Sequence, residues 1–135
     1  MDHLGIGVML SRLSGNEETV NAHLGAIGKI IKSISSNDNL ILTFTDETGI
    51  RICDEGQSCC EHRYMHTDDE IQYYVGSKFL GCELRSAPNL PDEWGEHEVQ
   101  FLLVNTDRGT FTMVSHNKHN GYYGGFAIEI RTIGA

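Results

Sequence analysis

Two polar clusters concentrate the residues able to do chemistry. They are Glu55-Gly56-Gln57-Ser58-Cys59-Cys60-Glu61-His62-Arg63-Tyr64 and His116-Asn117-Lys118-His119-Asn120-Gly121-Tyr122-Tyr123-Gly124-Gly125-Phe126. Four of the seven histidines (His62, His66, His116, His119) and the adjacent Cys59 and Cys60 lie in or beside them. These are ligand types that zinc takes, but structural zinc sites usually space paired ligands roughly two to four residues apart at two places. Here the only close cysteine pair is vicinal. Successive side chains of an extended segment point to opposite sides, so Cys59 and Cys60 are poorly placed to share one ion or to bond to each other. Cys59 or Cys60 as thiolate, with His62, His116 or His119 as base, would make a thiol enzyme; that chemistry needs the partners to meet in space, which spacing alone does not provide.

A ligand pocket uses more of the same residues. Gly121, Gly124 and Gly125 permit close backbone approach, and Tyr122, Tyr123 and Phe126 supply flat faces for a ring. The His and Asn side chains supply donors and acceptors for hydroxyls or phosphates. The expected ligand-binding residues are therefore Cys60, Glu61, His62, Arg63, Tyr64, His116, Asn117, His119, Asn120, Tyr122 and Tyr123. Arg63 is the first choice for a phosphate. No catalytic residue and no cofactor is assigned, and metal binding stays open. The competing structural account is a Gly-rich bend whose tyrosines pack on a sheet.

The elements that must position these clusters read as strands. Both clusters begin where strand patterning stops, which predicts loops on a rigid scaffold. Alternation marks strands beginning at Ile30, Leu40 and Ile50, joined by turns at Asn37-Asp38-Asn39 and Asp46-Glu47-Thr48-Gly49. Further strands are expected at Phe79 to Leu84, His97 to Val104, Thr110 to Val114 and Phe126 to Ile133. Thr67-Asp68-Asp69-Glu70 reads as a capping box for a short helix ended by Gly76. A second short helix is expected near Asn16 to Leu24, within a Gly- and Ser-rich N-terminal extension (1–28). This extension packs on the core or on a neighbouring subunit, with an exposed arm as the alternative. Residues 29–135 then form one β-rich α+β domain, an antiparallel sheet of about six to seven strands with one or two short helices. Trp94, in the loop from Ala87 to Gly95 that holds both prolines, is expected to anchor that loop or to sit at an interface.

The 135 residues fit one domain, and 39% apolar content with no long apolar run excludes a membrane-spanning helix. The start of the chain lacks a secretory leader, which predicts a cytoplasmic protein with reduced cysteines. Nineteen acidic against ten basic residues give a formal charge of -9. Such a field repels phosphate backbones, so general nucleic-acid binding is not expected; a small anion remains acceptable to a pocket with local cations.

The order Gly28-Lys29-x-Ile31, then Asp54-Glu55-x-x-x-Cys59-Cys60-Glu61 with Tyr64, then Asn120-Gly121-Tyr122-Tyr123, resembles a small domain of unknown function found mainly in bacteriophages and bacteria. The likeness covers roughly Gly28 to Arg131. It implies no established enzymatic activity. The domain is also similar to the phage sponges that sequester the cyclic ADP-ribose-type signal of Thoeris immunity. That similarity implies a non-enzymatic anti-defence protein in the host cytoplasm, a homo-oligomer holding a cyclic nucleotide or related ligand. The alternatives are a metal- or thiol-dependent enzyme, and an acidic inhibitor that binds a basic host protein.

Overall fold

The computed structural model describes residues 3–5, 17–37, 39–54, 61–90, 95–119, 126 and 128–134. In chain order the elements are β1 (His3–Gly5), α1 (Glu17–Ala26), β2 (Ile31–Ser36), β3 (Leu40–Phe44), β4 (Thr48–Asp54), β5 (Glu61–His66), a single 3-10 turn (Ile71–Tyr74), β6 (Phe79–Ser86), β7 (Glu96–Thr106), β8 (Gly109–His119) and β9 (Ile128–Gly134). The strands form two antiparallel sheets, ordered β1-β6-β7-β8-β5 and β2-β3-β4-β9. The class is α+β and β-rich, as the sequence predicts. The strand count among the described residues is nine rather than six or seven, and there are two sheets rather than one.

Alternation explains the sandwich. Leu40, Leu42 and Phe44 of β3 and Ile50 and Ile52 of β4 face Leu84, Leu102, Val104, Phe111 and Met113 of the other sheet, all nearly inaccessible to solvent. Helix α1 has acidic Glu17 and Glu18 in its first turn, where they complement the helix dipole. It buries Thr19, Ala22 and Ala26, a one-sided spacing that packs small residues against β9 and β6. The Thr19 hydroxyl accepts a hydrogen bond from the Ile130 N–H on the outer border of β9 (3.2 Å), and His23 Nε2 accepts one from the Cys82 N–H (2.9 Å). Burial lowers the His23 pKa, consistent with a ring nitrogen kept free to accept. The helix from the N-terminal segment is thus part of the core.

The other border of this sheet, β2, is also occupied. Ile31 exchanges backbone hydrogen bonds with Gly76 and Ser77, and Gln72 Nε2 donates to the Ile34 carbonyl (3.0 Å). The expected helix after Thr67 is only one 3-10 turn, and Glu70 makes no side-chain cap. The capping-box residues bind β8 instead: the Thr67 hydroxyl donates to the Thr112 carbonyl, and the Asp69 carboxylate accepts from the Thr112 N–H.

Between β3 and β4, Asp46 accepts from the backbone and hydroxyl of Thr48 and pairs with Lys29 Nζ at 2.9 Å. These contacts hold its pKa down to about 2, the Thr48 hydroxyl acting most strongly. Glu47 takes the left-handed conformation (φ 71°) that the tight turn needs. Among the described residues, no helix is long and apolar enough to cross a membrane.

Candidate functional site

Strands β5 and β8 bring the two clusters together. Opposite residues are Glu61 and His119, His62 and Lys118, Arg63 and Asn117, Tyr64 and His116, and Met65 and Ser115. Strand β7 lies on the other side of β8, with His97 opposite Lys118, Glu98 opposite Asn117, and Gln100 opposite Ser115. His116 to His119 are therefore strand residues and not the loop expected from the neighbouring Asn and Gly. Residues directly opposite share a face and successive residues alternate, so the site divides into two halves.

The outward half is a ladder of rings. Tyr64 stacks on His116 with centroids 4.4 Å apart and planes at 9°, and His66 stacks on His116 at 4.8 Å. His62 lies 5.2 Å from Tyr64, and Lys118 Nζ stands 5.9 Å from the Tyr64 centroid, within cation–π reach. His116 Nε2 is 2.8 Å from His66 Nε2, and His116 Nδ1 is 2.8 Å from His97 Nε2. The three imidazoles form a chain through a central ring that is 8% exposed. Burial first, then His66, His97 and Lys118, lowers the His116 pKa to about 4. At neutral pH the ring carries one N–H, so it donates one of its two contacts and accepts the other. Because His66 and His97 meet opposite nitrogens of His116, the three do not converge on one ion. Among the described residues no group of His, Cys, Asp and Glu has metal-holding geometry.

The inward half is polar and buried. Arg63 Nη1 donates to both Asp54 oxygens (2.8 and 2.9 Å), and the two side chains are only 7% and 8% exposed. His119 Nε2 lies 2.6 Å from Glu98 Oε1. Asn117 is fully buried and Ser115 is 1% exposed. A change of level accounts for this. Two residues further along each strand, the core-facing position passes from Ile52 to Asp54, Met65 to Arg63, Leu102 to Gln100 and Met113 to Ser115.

Of the expected site residues, His62, Tyr64 and His116 lie outward, while Arg63, Asn117 and His119 lie inward. Glu61 is placed by its backbone opposite His119. Cys60, Asn120, Tyr122 and Tyr123 lie outside the described residues, as do Cys59, Trp94 and the glycines 121, 124 and 125. Cys53 and Cys82 are both buried; burial, with Glu83 beside it, raises the Cys82 pKa. Asp54, noted above only in the motif resemblance, and Lys118, noted only as a member of the second cluster, join the site together with His97, Glu98 and Ser115, which were not singled out. For His97 and Glu98 the available signal was their strand pattern, which sets β7 beside β8.

Residues 25–128 match the family described as a domain of unknown function (DUF7448), and the chain belongs to that family. No curated protein and no solved structure matches it.

Proposed function

We propose that the protein binds a small nucleotide-like ligand without turning it over, on the outward face of β5, β8 and β7. The observation that carries this reading is the Tyr64–His116 stack set among His62, His66, His97 and Lys118. The side chains that lower the His116 pKa, namely His66, His97 and Lys118, are all of basic type, in a chain whose formal charge is -9. A half-buried tyrosine ring offers a stacking face for a base, and the exposed Lys118 and His62 beside it offer donors to a phosphate. Arg63 is not the phosphate partner in this arrangement, because Asp54 holds it in a bidentate pair on the other face. Retention without turnover agrees with a signal-sequestering role of the kind that the motif resemblance implies.

The test is calorimetry and thermal shift with cyclic nucleotides and ADP-ribose isomers. Binding should weaken by roughly 1–3 kcal/mol in Tyr64→Ala, the range for base stacking, and also in Lys118→Gln. Ligand recovered unchanged after incubation supports sequestration. Absence of binding by the whole panel at ligand concentrations of about 1 mM, where weak ligands still bind, would sink the reading.

One observation favours an enzyme instead. The His119–Glu98 contact at 2.6 Å is an imidazole oriented by a carboxylate, the usual arrangement of a general base. Chemical change in any panel member, abolished by Glu98→Gln, would favour that alternative.

A further inference from the structure

We propose that the inward polar end of the sandwich, centred on Ser115 and Gln100 and walled by Asp54, Arg63, Asn117 and Glu98, binds a neutral molecule carrying vicinal hydroxyls, a sugar or a ribose. Ser115 and Gln100 stand directly opposite each other on β8 and β7. Ser115 Oγ and Gln100 Oε1 are both buried, and neither makes a hydrogen bond among the described residues. Leaving a buried polar atom unpaired costs about 1–3 kcal/mol, so two such atoms on paired positions of one sheet face are a costly arrangement for packing alone. Their complement is a group that both donates and accepts, because the amide oxygen only accepts and the hydroxyl can do either. A ligand hydroxyl has that character.

The surroundings extend the match. Asp54 and Glu98 carboxylates accept from hydroxyls, and Arg63 and Asn117 donate to them; planar fork-shaped side chains of this kind suit adjacent hydroxyls. Asp54 offsets Arg63, and Glu98 faces His119, so the walls carry no surplus positive charge to attract a phosphate. A neutral polyol fits this charge balance, whereas the outward face suits an anion. The two sites lie on opposite faces of one sheet and are tested independently.

The experiment is calorimetry, with saturation-transfer NMR, on the full chain against adenosine, guanosine, ribose and glucose. The nucleoside and free-sugar arms separate the two sources of the same hydroxyl chemistry. At least one compound should bind, and for a nucleoside the 2′,3′-dideoxy analogue should be weaker by about tenfold or more, since a site built for a hydroxyl rejects its absence. Ser115→Ala, a near-isosteric change checked for folding by circular dichroism, should weaken the same compound by about tenfold. Lys32→Gln, an exposed change on β2 of the other sheet, should leave its affinity within about twofold. If Ser115→Ala does not fold, the dideoxy comparison for a nucleoside, or a deoxy analogue for a sugar, decides the matter on the unaltered chain. Binding by no compound below about 10 mM, equal affinity for the analogue lacking hydroxyls, or equal affinity in a folded Ser115→Ala protein would each overturn the proposal.

Discussion

Arg63 and Asp54 each lie in a place that would penalise either one alone. With both side chains more than nine-tenths buried, Asp54→Ala leaves an uncompensated guanidinium between the sheets. The expected loss is about 3–5 kcal/mol in urea denaturation, and most of it should return in the double variant Asp54→Leu with Arg63→Met. His116 makes a different prediction because its pKa is depressed from 6.5 to about 4. Between those values the unfolded chain takes up a proton that the folded chain refuses. Stability from this group is complete above pH 6.5, falls as the pH drops through the window, and levels off below about 4. His116→Phe keeps a ring against Tyr64 but cannot titrate. Its unfolding free energy should therefore fall less than that of the natural protein between pH 7 and pH 4.5; parallel pH profiles would contradict the assignment.

At the scale of elements, two glycines that look alike in the sequence should behave oppositely. Gly25 lies in α1, and a Cβ there meets nothing within 4 Å, so Gly25→Ala should add about 0.5–1 kcal/mol by helix propensity. A Cβ on Gly49 in β4 would stand 2.7 Å from the Leu42 carbonyl oxygen and 3.1 Å from Ile133. Gly49→Ala should lower stability by about 1–3 kcal/mol, and paired thermal melts check both. Strands with clean alternation, such as Leu40–Phe44, were legible because one of their faces is wholly apolar. Strand β5 was not. Of its inward residues Met65 is apolar, whereas Arg63 enters the interior only because Asp54 of another strand meets it, a long-range pairing invisible to local periodicity. The same cause hid the division of the site. The sequence shows the clusters, but which residue faces which side depends on the register with β8, and the extended His116–His119 segment was masked by loop-like Asn and Gly neighbours.

For the whole molecule, the family-matched span and the folding unit differ. Residues 25–128 exclude nearly all of α1 and all of β9 beyond its first residue. Yet β9 pairs with β4 from Thr48 to Asp54, and Ile130 is fully buried. A chain cut to 25–128 also loses Ala22 from the core. Such a fragment should show no cooperative thermal transition, whereas the full chain should unfold in one step by circular dichroism. A sharp two-state melt of the fragment would show that the helix and the last strand are dispensable additions.

The hydrogen bonds on the outer borders of β2 and β9 bear on how the protein keeps in solution at high concentration. An unpaired strand border is a template on which a second chain can be laid, repeatedly, into fibrils. Here Thr19 of α1 occupies the β9 border at Ile130, while Gln72 and the Gly76–Ser77 backbone occupy the β2 border. These latches hold little folding energy, since each side-chain bond contributes about 1 kcal/mol. Loosening both with Thr19→Val and Gln72→Ala removes about 2 kcal/mol and should lower the melting temperature by roughly 7 °C, at about 3.5 °C per kcal/mol for a domain of this size. Thioflavin fluorescence of the stored protein should rise far more than that shift implies. Shelf life, more than melting temperature, is the property these two contacts govern.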